Sequence, residues 1–240
     1  MRDPILRPRP APFRGSACAL GLAVVVVTAA AYANQQRARQ QEQAALNAND
    51  TAAAAASGGV VSGRVAVPAG QRLPEMVVFL ESTDPGYAFA PPAEPVVVSQ
   101  RDAKFDPGLV VVPVGTRVDF RNDERRPIEH NVFSRTPGSE FDLGLYKPGA
   151  ADKVVKFDTP GPVRLYCSIH RYMDGVVYVC PTPLFAEVGR DGSYRIDNVP
   201  PGEYRLKTWQ RNARFADREV FVKMAGGAAP VELNLEMSRK

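Results

Sequence analysis

Ten short segments, each rich in β-branched or aromatic residues and set off by glycine or proline, lie between residues 60 and 224. They include VVSGRVAV, MVVFLES, PVRLYC, GVVYVC and GEYRLKTW. Segments of this length and composition, interrupted by turn-forming residues, are typical of β-strands joined by tight turns. No stretch of this region repeats its apolar residues at a helical period. The sequence therefore predicts an all-β fold, either a sandwich or a barrel.

The first 33 residues have the pattern of an export signal. Four arginines and one aspartate give them a net charge of +3, out of +4 for the 240-residue chain. The apolar run ACALGLAVVVVTAAAYA follows, and Ala31-Tyr32-Ala33 offers a small-residue cleavage site. Because the uncharged stretch from Gly15 to Gln36 has about the length needed to span a bilayer, a retained anchor is the alternative. Both interpretations predict a periplasmic or other extracytoplasmic protein, tethered to the inner membrane in the second case.

The charges of the remaining chain indicate no nucleic-acid partner. After the leader is subtracted, a net charge of only +1 is left, which is too small for an electrostatic footprint on a phosphate backbone. Two stretches, DERR at 123–126 and KTWQRNARFADR at 207–218, concentrate charged residues. We expect them to be solvent-exposed turns and strand faces, or alternatively a docking patch for a partner protein.

The segment CSIHRYM places Cys167, His170 and Met173 at three-residue steps directly after a strand segment. The chain has two histidines, and the other, His130, follows the strand segment TRVDFRND. Two histidine nitrogens, one thiolate and a distant axial methionine are the ligand set of blue-copper sites. We therefore predict one copper ion bound by these four residues. Zinc bound by the histidines and the cysteine is the alternative, although tetrahedral zinc would leave the methionine without a role.

Residues 95–180 resemble a cupredoxin, and the Cys-x-x-His-x-x-Met loop is most similar to that of amicyanin-like members. The resemblance is carried, in chain order, by FDPGLVVVPVGTRVDFRND, EHNVFS, FDLGLYKPG and TPGPVRLYCSIHRYM. It implies a Greek-key sandwich with one type 1 copper ion. His130, Cys167 and His170 would then be the equatorial ligands and Met173 the axial one.

The same resemblance implies roles around the ligands. Asn131 matches the position that braces the thiolate loop, and one edge of the His170 ring is expected to reach the surface. Arg171 departs from the family pattern, in which a proline commonly follows the second histidine. This difference concerns the surface and the reduction potential and does not change the ligands.

The segments on either side of 95–180 resemble a second β family. Asp191-Gly192-Ser193-Tyr194 and Pro201-Gly202-Glu203-Tyr204 are similar to the later strands of carboxypeptidase regulatory-like (transthyretin-like) domains, and 59–82 is similar to their opening strands. This predicts a smaller sandwich split by an inserted cupredoxin domain, with two adjacent domains as the alternative. The predicted units are the leader 1–33, a Gln/Ala-rich tether 34–58, the first sandwich part 59–84, the cupredoxin domain 85–182 and the second sandwich part 183–240.

Export into an oxidising compartment raises the question of a Cys167–Cys180 disulfide. If the two strands around the loop form an antiparallel pair, Cys167 faces residue 175 or 176. Cys180 then lies four or five residues further along, about 15 Å away, whereas a disulfide requires Cα atoms within about 7 Å. The sequence thus predicts that Cys180 is a buried free thiol, with an intermolecular pair as the alternative.

The leading functional hypothesis is an exported type 1 copper protein that passes single electrons between redox partner proteins, such as a cytochrome or a dehydrogenase. We expect no enzymatic activity, because two histidines cannot supply a second, catalytic copper centre. The alternatives are a copper-binding or storage protein without electron transfer, and a structural secreted β-module without metal.

Overall fold

The computed structural model describes residues 58–227 and 229–240. Within these ranges the chain forms strands and no helix, which confirms the all-β prediction. In chain order the strands are β1 (Gly59–Ala66), β2 (Met76–Ser82), β3 (Val96–Arg101), β4 (Lys104–Asp106), β5 (Leu109–Pro113), β6 (Thr116–Asn122), β7 (Phe133–Ser134), β8 (Phe141–Asp142), β9 (Val154–Phe157), β10 (Gly161–Tyr166), β11 (Asp174–Cys180), β12 (Phe185–Glu187), β13 (Ser193–Val199), β14 (Gly202–Gln210), β15 (Glu219–Met224), β16 (Val231–Glu232) and β17 (Leu235–Glu236).

The predicted leader, residues 1–33, and the tether up to residue 57 lie outside the described residues. In the part of the chain that the structure describes, no helix has the length and apolar character to cross a membrane.

Residues 96–180 form two sheets that we call the central sandwich. One sheet has the strand order β4-β3-β6-β9 and the other β5-β11-β10-β7-β8. Alternate residues of each strand point inward, as the period of two requires. In β10, for example, Val163 and Leu165 are buried and Arg164 between them is exposed. The shared core includes Val98, Val112, Val118, Phe120, Phe157, Val163, Leu165, Val177 and Val179.

Strands from both ends of the described chain form two further sheets, which we call the flanking sandwich. Their orders are β13-β1-β16, with β17 also pairing with β1, and β12-β2-β14-β15. The pairing joins distant segments, since Gly63 lies opposite Tyr194 and Leu80 lies opposite Leu206. At Gly63 a Cβ atom would stand 1.8 Å from the carbonyl oxygen of Leu233, so only glycine fits there. The domain boundaries given above stay a prediction.

Strand β11 is buried on both faces and joins the two sandwiches. Val177 and Val179 point into the central core, whereas Val176, Tyr178 and Cys180 belong to a separate apolar cluster. That cluster also contains Val77 and Phe79 of β2, with Trp209 of β14 packed against it. The Tyr178 and Trp209 rings stack with centroids 4.3 Å apart and an interplanar angle of 16°. The near-continuous apolar run of β11 is the pattern expected of a strand covered on both sides.

Candidate metal centre

The predicted ligand loop is closed by a β-hairpin. Strand β10 ends at Tyr166 and β11 begins at Asp174, and these two residues face each other as the last pair of the ladder. Residues 167–173 therefore form a compact loop, with Cys167 as its first residue and Met173 as its last. The Met173 N–H donates a hydrogen bond to the His170 carbonyl oxygen at 2.9 Å, which folds the loop back on itself.

His130 reaches the same place from a different part of the central sandwich. It forms an isolated antiparallel bridge with Tyr146, in which each N–H donates to the other residue's carbonyl oxygen, at 3.1 and 2.8 Å. Its side chain is fully buried. Because both backbone groups are paired, the bridge fixes the backbone of His130 and the direction of its Cα–Cβ bond.

Three side chains converge on one point. The Sγ atom of Cys167 lies 3.9 Å from Nδ1 of His130 and 3.7 Å from Nδ1 of His170, and the two Nδ1 atoms are 3.0 Å apart. A point about 2.1 Å from all three atoms lies in their plane, which compares with bond lengths to zinc of about 2.0–2.1 Å for histidine nitrogen and about 2.3 Å for thiolate sulfur. Cys167 is 4% exposed and His130 is fully buried, so these two donors are shielded from solvent, whereas His170 is half-buried. The donor set and its spacing fit a transition-metal ion.

The fourth predicted ligand, Met173, lies in the same buried core. It is 1% exposed and belongs to the apolar cluster that contains Cys167, Val132 and Tyr146. The structure thus brings together the side chains of His130, Cys167 and His170 and places Met173 in the buried core of the same sandwich. The assignment of each as a ligand stays a prediction.

Sequence reasoning missed Glu124, which contacts the buried face of the candidate site. Its Oε1 atom lies 2.9 Å from Nε2 of His130 and accepts a hydrogen bond from the Ala103 N–H at 2.8 Å. The Glu124 side chain is 5% exposed, although it falls in the DERR stretch expected to be a solvated turn, so that expectation was wrong for this residue. A carboxylate six residues before the histidine was the only available signal, and such spacing is common without any function.

The Glu124 carboxylate determines which nitrogen of His130 can bind a metal. When Nε2 carries the proton and donates to Glu124, the lone pair of Nδ1 is free on the side of Cys167 and His170. Carboxylates commonly hold metal-binding histidines in this way. Burial raises the pKa of Glu124, but hydrogen bonds from the Ala103 N–H and from His130 outweigh it, and the pKa lies below its usual value. Asp102 and Ala103, at φ 51° and 50°, form the turn that presents this N–H.

Asn131 connects the thiolate loop to a neighbouring strand. Its Oδ1 atom accepts a hydrogen bond from the Ser168 N–H at 2.7 Å, and its amide nitrogen donates to Asp142 at 3.1 Å. Asn131 is 3% exposed, so these bonds have little competition from water. Ser168 follows Cys167 directly, and the contact is the brace that the sequence resemblance implied.

The two cysteines of the described chain are free and buried, as predicted. The predicted register was wrong in detail, because Tyr166 pairs with Asp174 and Gly161 pairs with Val179. Cys180 therefore lies opposite the far end of β10 from Cys167, about 20 Å away along the hairpin. This separation is larger than predicted and far exceeds the Cα distance of about 7 Å that a disulfide between Cys167 and Cys180 would require.

Comparison with protein-family models and with curated proteins found no match. Among solved structures, the copper-containing nitrite reductase of Thermus scotoductus SA-01 is 27% identical, with a TM-score of 0.34 over 41% of this chain and 25% of that one. The purple cupredoxin of Nitrosopumilus maritimus is 23% identical, with a TM-score of 0.31 over 35% and 98% of the two chains. An oxidised amicyanin mutant is 24% identical, with a TM-score of 0.32 over 35% and 81%.

This chain thus spans a quarter of the nitrite reductase and most of the length of the two cupredoxins. Cupredoxins are among the solved structures similar to it, as the sequence resemblance predicted. The metal prediction is supported by the geometry of the His130, Cys167 and His170 side chains. The transthyretin-like resemblance stays a prediction.

Proposed function

We propose that the protein is an extracytoplasmic type 1 copper protein that carries single electrons between redox partner proteins. One observation carries the proposal: Nδ1 of His130, Nδ1 of His170 and Sγ of Cys167 surround a point at bonding distance from all three. Bound copper would supply a one-electron change between Cu(II) and Cu(I). A mixed nitrogen and sulfur donor set suits both oxidation states, because imidazole suits Cu(II) and thiolate or thioether sulfur suits Cu(I).

The ligand side chains are held by the protein itself. His130 is fixed by its backbone bridge and by Glu124, and the Cys167 backbone is fixed through the Ser168 N–H bond to Asn131. Preorganised donors need little rearrangement when the charge at the site changes. This property favours electron transfer over storage, because storage requires no change of oxidation state at the metal.

His170 gives the proposed route for the electron. It is half-buried, in contrast to the fully buried His130. Its neighbours on the loop, Ile169 and Tyr172, are 50% and 71% exposed, and the His170 and Tyr172 rings lie 6.0 Å apart between centroids. Exposed apolar side chains around a partly exposed ligand form a surface on which a cytochrome or a dehydrogenase could dock transiently.

The proposed role includes no catalysis. Both histidines of the chain lie in the site, so a second histidine-bound copper centre for substrate chemistry has no ligands. The export of the chain belongs to the same proposal and is supported by the leader pattern of residues 1–33.

The test is a Cu(II) titration of the purified protein, followed by visible absorption and a redox titration. We expect one copper per chain, strong absorption from thiolate-to-copper charge transfer and reversible one-electron reduction. Cys167→Ser should abolish the absorption while leaving the fold intact, and Cys180→Ala, which changes the other buried thiol, should retain it. Copper bound without the absorption would favour storage, preferential binding of zinc would favour a zinc site, and no binding at all would leave a structural β-module.

A further inference from the structure

A guanidinium from the flanking sandwich contacts the stem of the ligand loop. Arg211 directly follows β14, and its Nη2 atom lies 2.9 Å from the Asp174 carboxylate and 3.2 Å from the Asp174 carbonyl oxygen. Its Nη1 atom lies 2.9 Å from the carboxylate of Glu75. The backbone of Arg211 is held as well, since its N–H donates to the Glu75 carbonyl oxygen at 3.0 Å.

Asp174 is the residue at which the ligand loop re-enters the sheet. It directly follows Met173 and pairs with Tyr166, the residue before Cys167. Its second carboxylate oxygen accepts a hydrogen bond from Arg164 at 2.9 Å. The carboxylate is therefore held from the central sandwich by Arg164 and from the flanking sandwich by Arg211.

The Arg211 contact differs from the other arginine ion pairs of the described residues. The side chain of Arg211 is 15% exposed. The other paired arginines have side chains that are 47% to 59% exposed: Arg64, Arg121, Arg164, Arg195 and Arg205. Exposed ion pairs contribute little to the stability of the fold because water screens them. Charge-assisted hydrogen bonds from a shielded guanidinium in a fixed fork are stronger and more directional. KTWQRNARFADR was expected to be a solvated strand face, and for Arg211 that expectation was wrong.

We infer that Arg211 is a positioning residue for the ligand loop, residues 167–173, so that the flanking sandwich helps to set the geometry of the proposed copper site. The inference rests on the proposed function. Arg211 holds both the side chain and the backbone of Asp174, and the next residue toward the site is Met173. The Met173 N–H in turn holds the His170 carbonyl oxygen. Loss of the guanidinium would loosen the end of the loop that carries these two residues and leave Cys167 braced by Asn131.

The experiment compares the full chain with Arg211→Gln, Arg211→Lys and the control Arg205→Gln. The control removes an arginine of β14 from an exposed ion pair with Glu219 of β15. Hydrogen exchange of the peptide covering residues 167–176 is measured in the metal-free proteins. Visible spectra and reduction potentials are measured after copper loading. We expect exchange about tenfold faster in both Arg211 variants, with an altered spectrum and potential at unchanged copper stoichiometry, and no change for Arg205→Gln.

The lysine variant separates position from charge, because it keeps the positive charge but cannot form the fork of contacts. Faster hydrogen exchange in Arg211→Gln but not in Arg211→Lys would show that only the charge acts, which contradicts positioning by the fork of contacts. Exchange equal to wild type in both variants would overturn the inference directly. If wild type lacks the charge-transfer absorption, the proposed function fails. The exchange of the metal-free proteins still decides whether Arg211 positions the loop.

Discussion

The Nδ1 atoms of His130 and His170 lie 3.0 Å apart, although forty residues separate the two histidines in the chain. Such a contact between two imidazole nitrogens has two explanations: one donates a hydrogen bond to the other, or both are directed toward a shared cation. The Cys167 sulfur at 3.7 and 3.9 Å favours the second explanation, because thiolate and imidazole are the ligands that soft transition-metal ions prefer. In the metal-free protein, one imidazole would donate a hydrogen bond to the other.

Met173→Leu should keep copper and its absorption but change the reduction potential. Leucine preserves the volume and apolar character of a side chain that is 1% exposed, so the fold should tolerate it at a cost below about 1.5 kcal/mol. The axial ligand tunes the potential of blue-copper sites, and the substitution removes only its sulfur. Met224→Leu, at a buried methionine of the flanking core, is the matched control. Equal potentials for the two variants would show that Met173 is not a ligand.

Glu124→Ala should lower copper affinity about 10–100-fold, as expected when the partner of a metal-binding histidine is lost. The substitution frees Nε2 of His130, so the imidazole can adopt the wrong tautomer or rotate. Glu124→Gln retains an acceptor oxygen and should lie between wild type and alanine. Affinity is measured by competition with a copper chelator, and the exposed Glu140→Ala serves as control. An affinity of Glu124→Ala equal to that of the control would remove Glu124 from the site.

Denaturation of the copper-loaded protein should show coincident loss of colour and change in tryptophan fluorescence. The single tryptophan, Trp209, stacks on Tyr178 of β11, and β11 leads out of the ligand loop. Because that strand is packed on both faces, the sandwiches should unfold together. Tyr178→Leu should lower the free energy of unfolding by about 1–3 kcal/mol. Two well-separated transitions in the wild type would contradict this coupling.

Cys180 should resist alkylation by iodoacetamide at pH 8 in the native protein and react after denaturation. Burial raises the pKa of the Cys180 thiol to about 12, and the thiolate is the reactive form. Peptide mapping by mass spectrometry measures the modification, with the protein in guanidinium as the control. Rapid alkylation of Cys180 under native conditions would show that the thiol is not shielded by the two sandwiches.

The raised pKa of the Cys180 thiol also predicts how the stability of the protein changes with pH. The folded-state pKa of Cys180 lies above the unfolded value of about 8.5, so the folded protein binds more protons between the two values. The stabilising contribution is therefore complete below about pH 8.5 and is lost as the pH rises toward about 12. Cys180→Ala should lose stability less steeply over this window.

Much of the candidate site could be predicted from the sequence because its signal is local. Cys167, His170 and Met173 lie within seven consecutive residues, so any hairpin that closes around them keeps them close. The residues that support the site could not be predicted. Glu124 and Arg211 lie in charged stretches that look solvated, and they are shielded only because other segments cover them.

By itself the sequence determined the all-β fold and predicted the donor residues of the candidate site, because strand periodicity and residue spacing are properties of neighbouring residues. Only the tertiary structure decided that the His130 Nδ1 atom faces the loop, that Glu124 fixes it, and that β11 is shared by two sandwiches. These features depend on strands that pair across long stretches of chain and on which faces of the sheets meet. Such contacts depend on the packing of the whole molecule, and no local pattern specifies them.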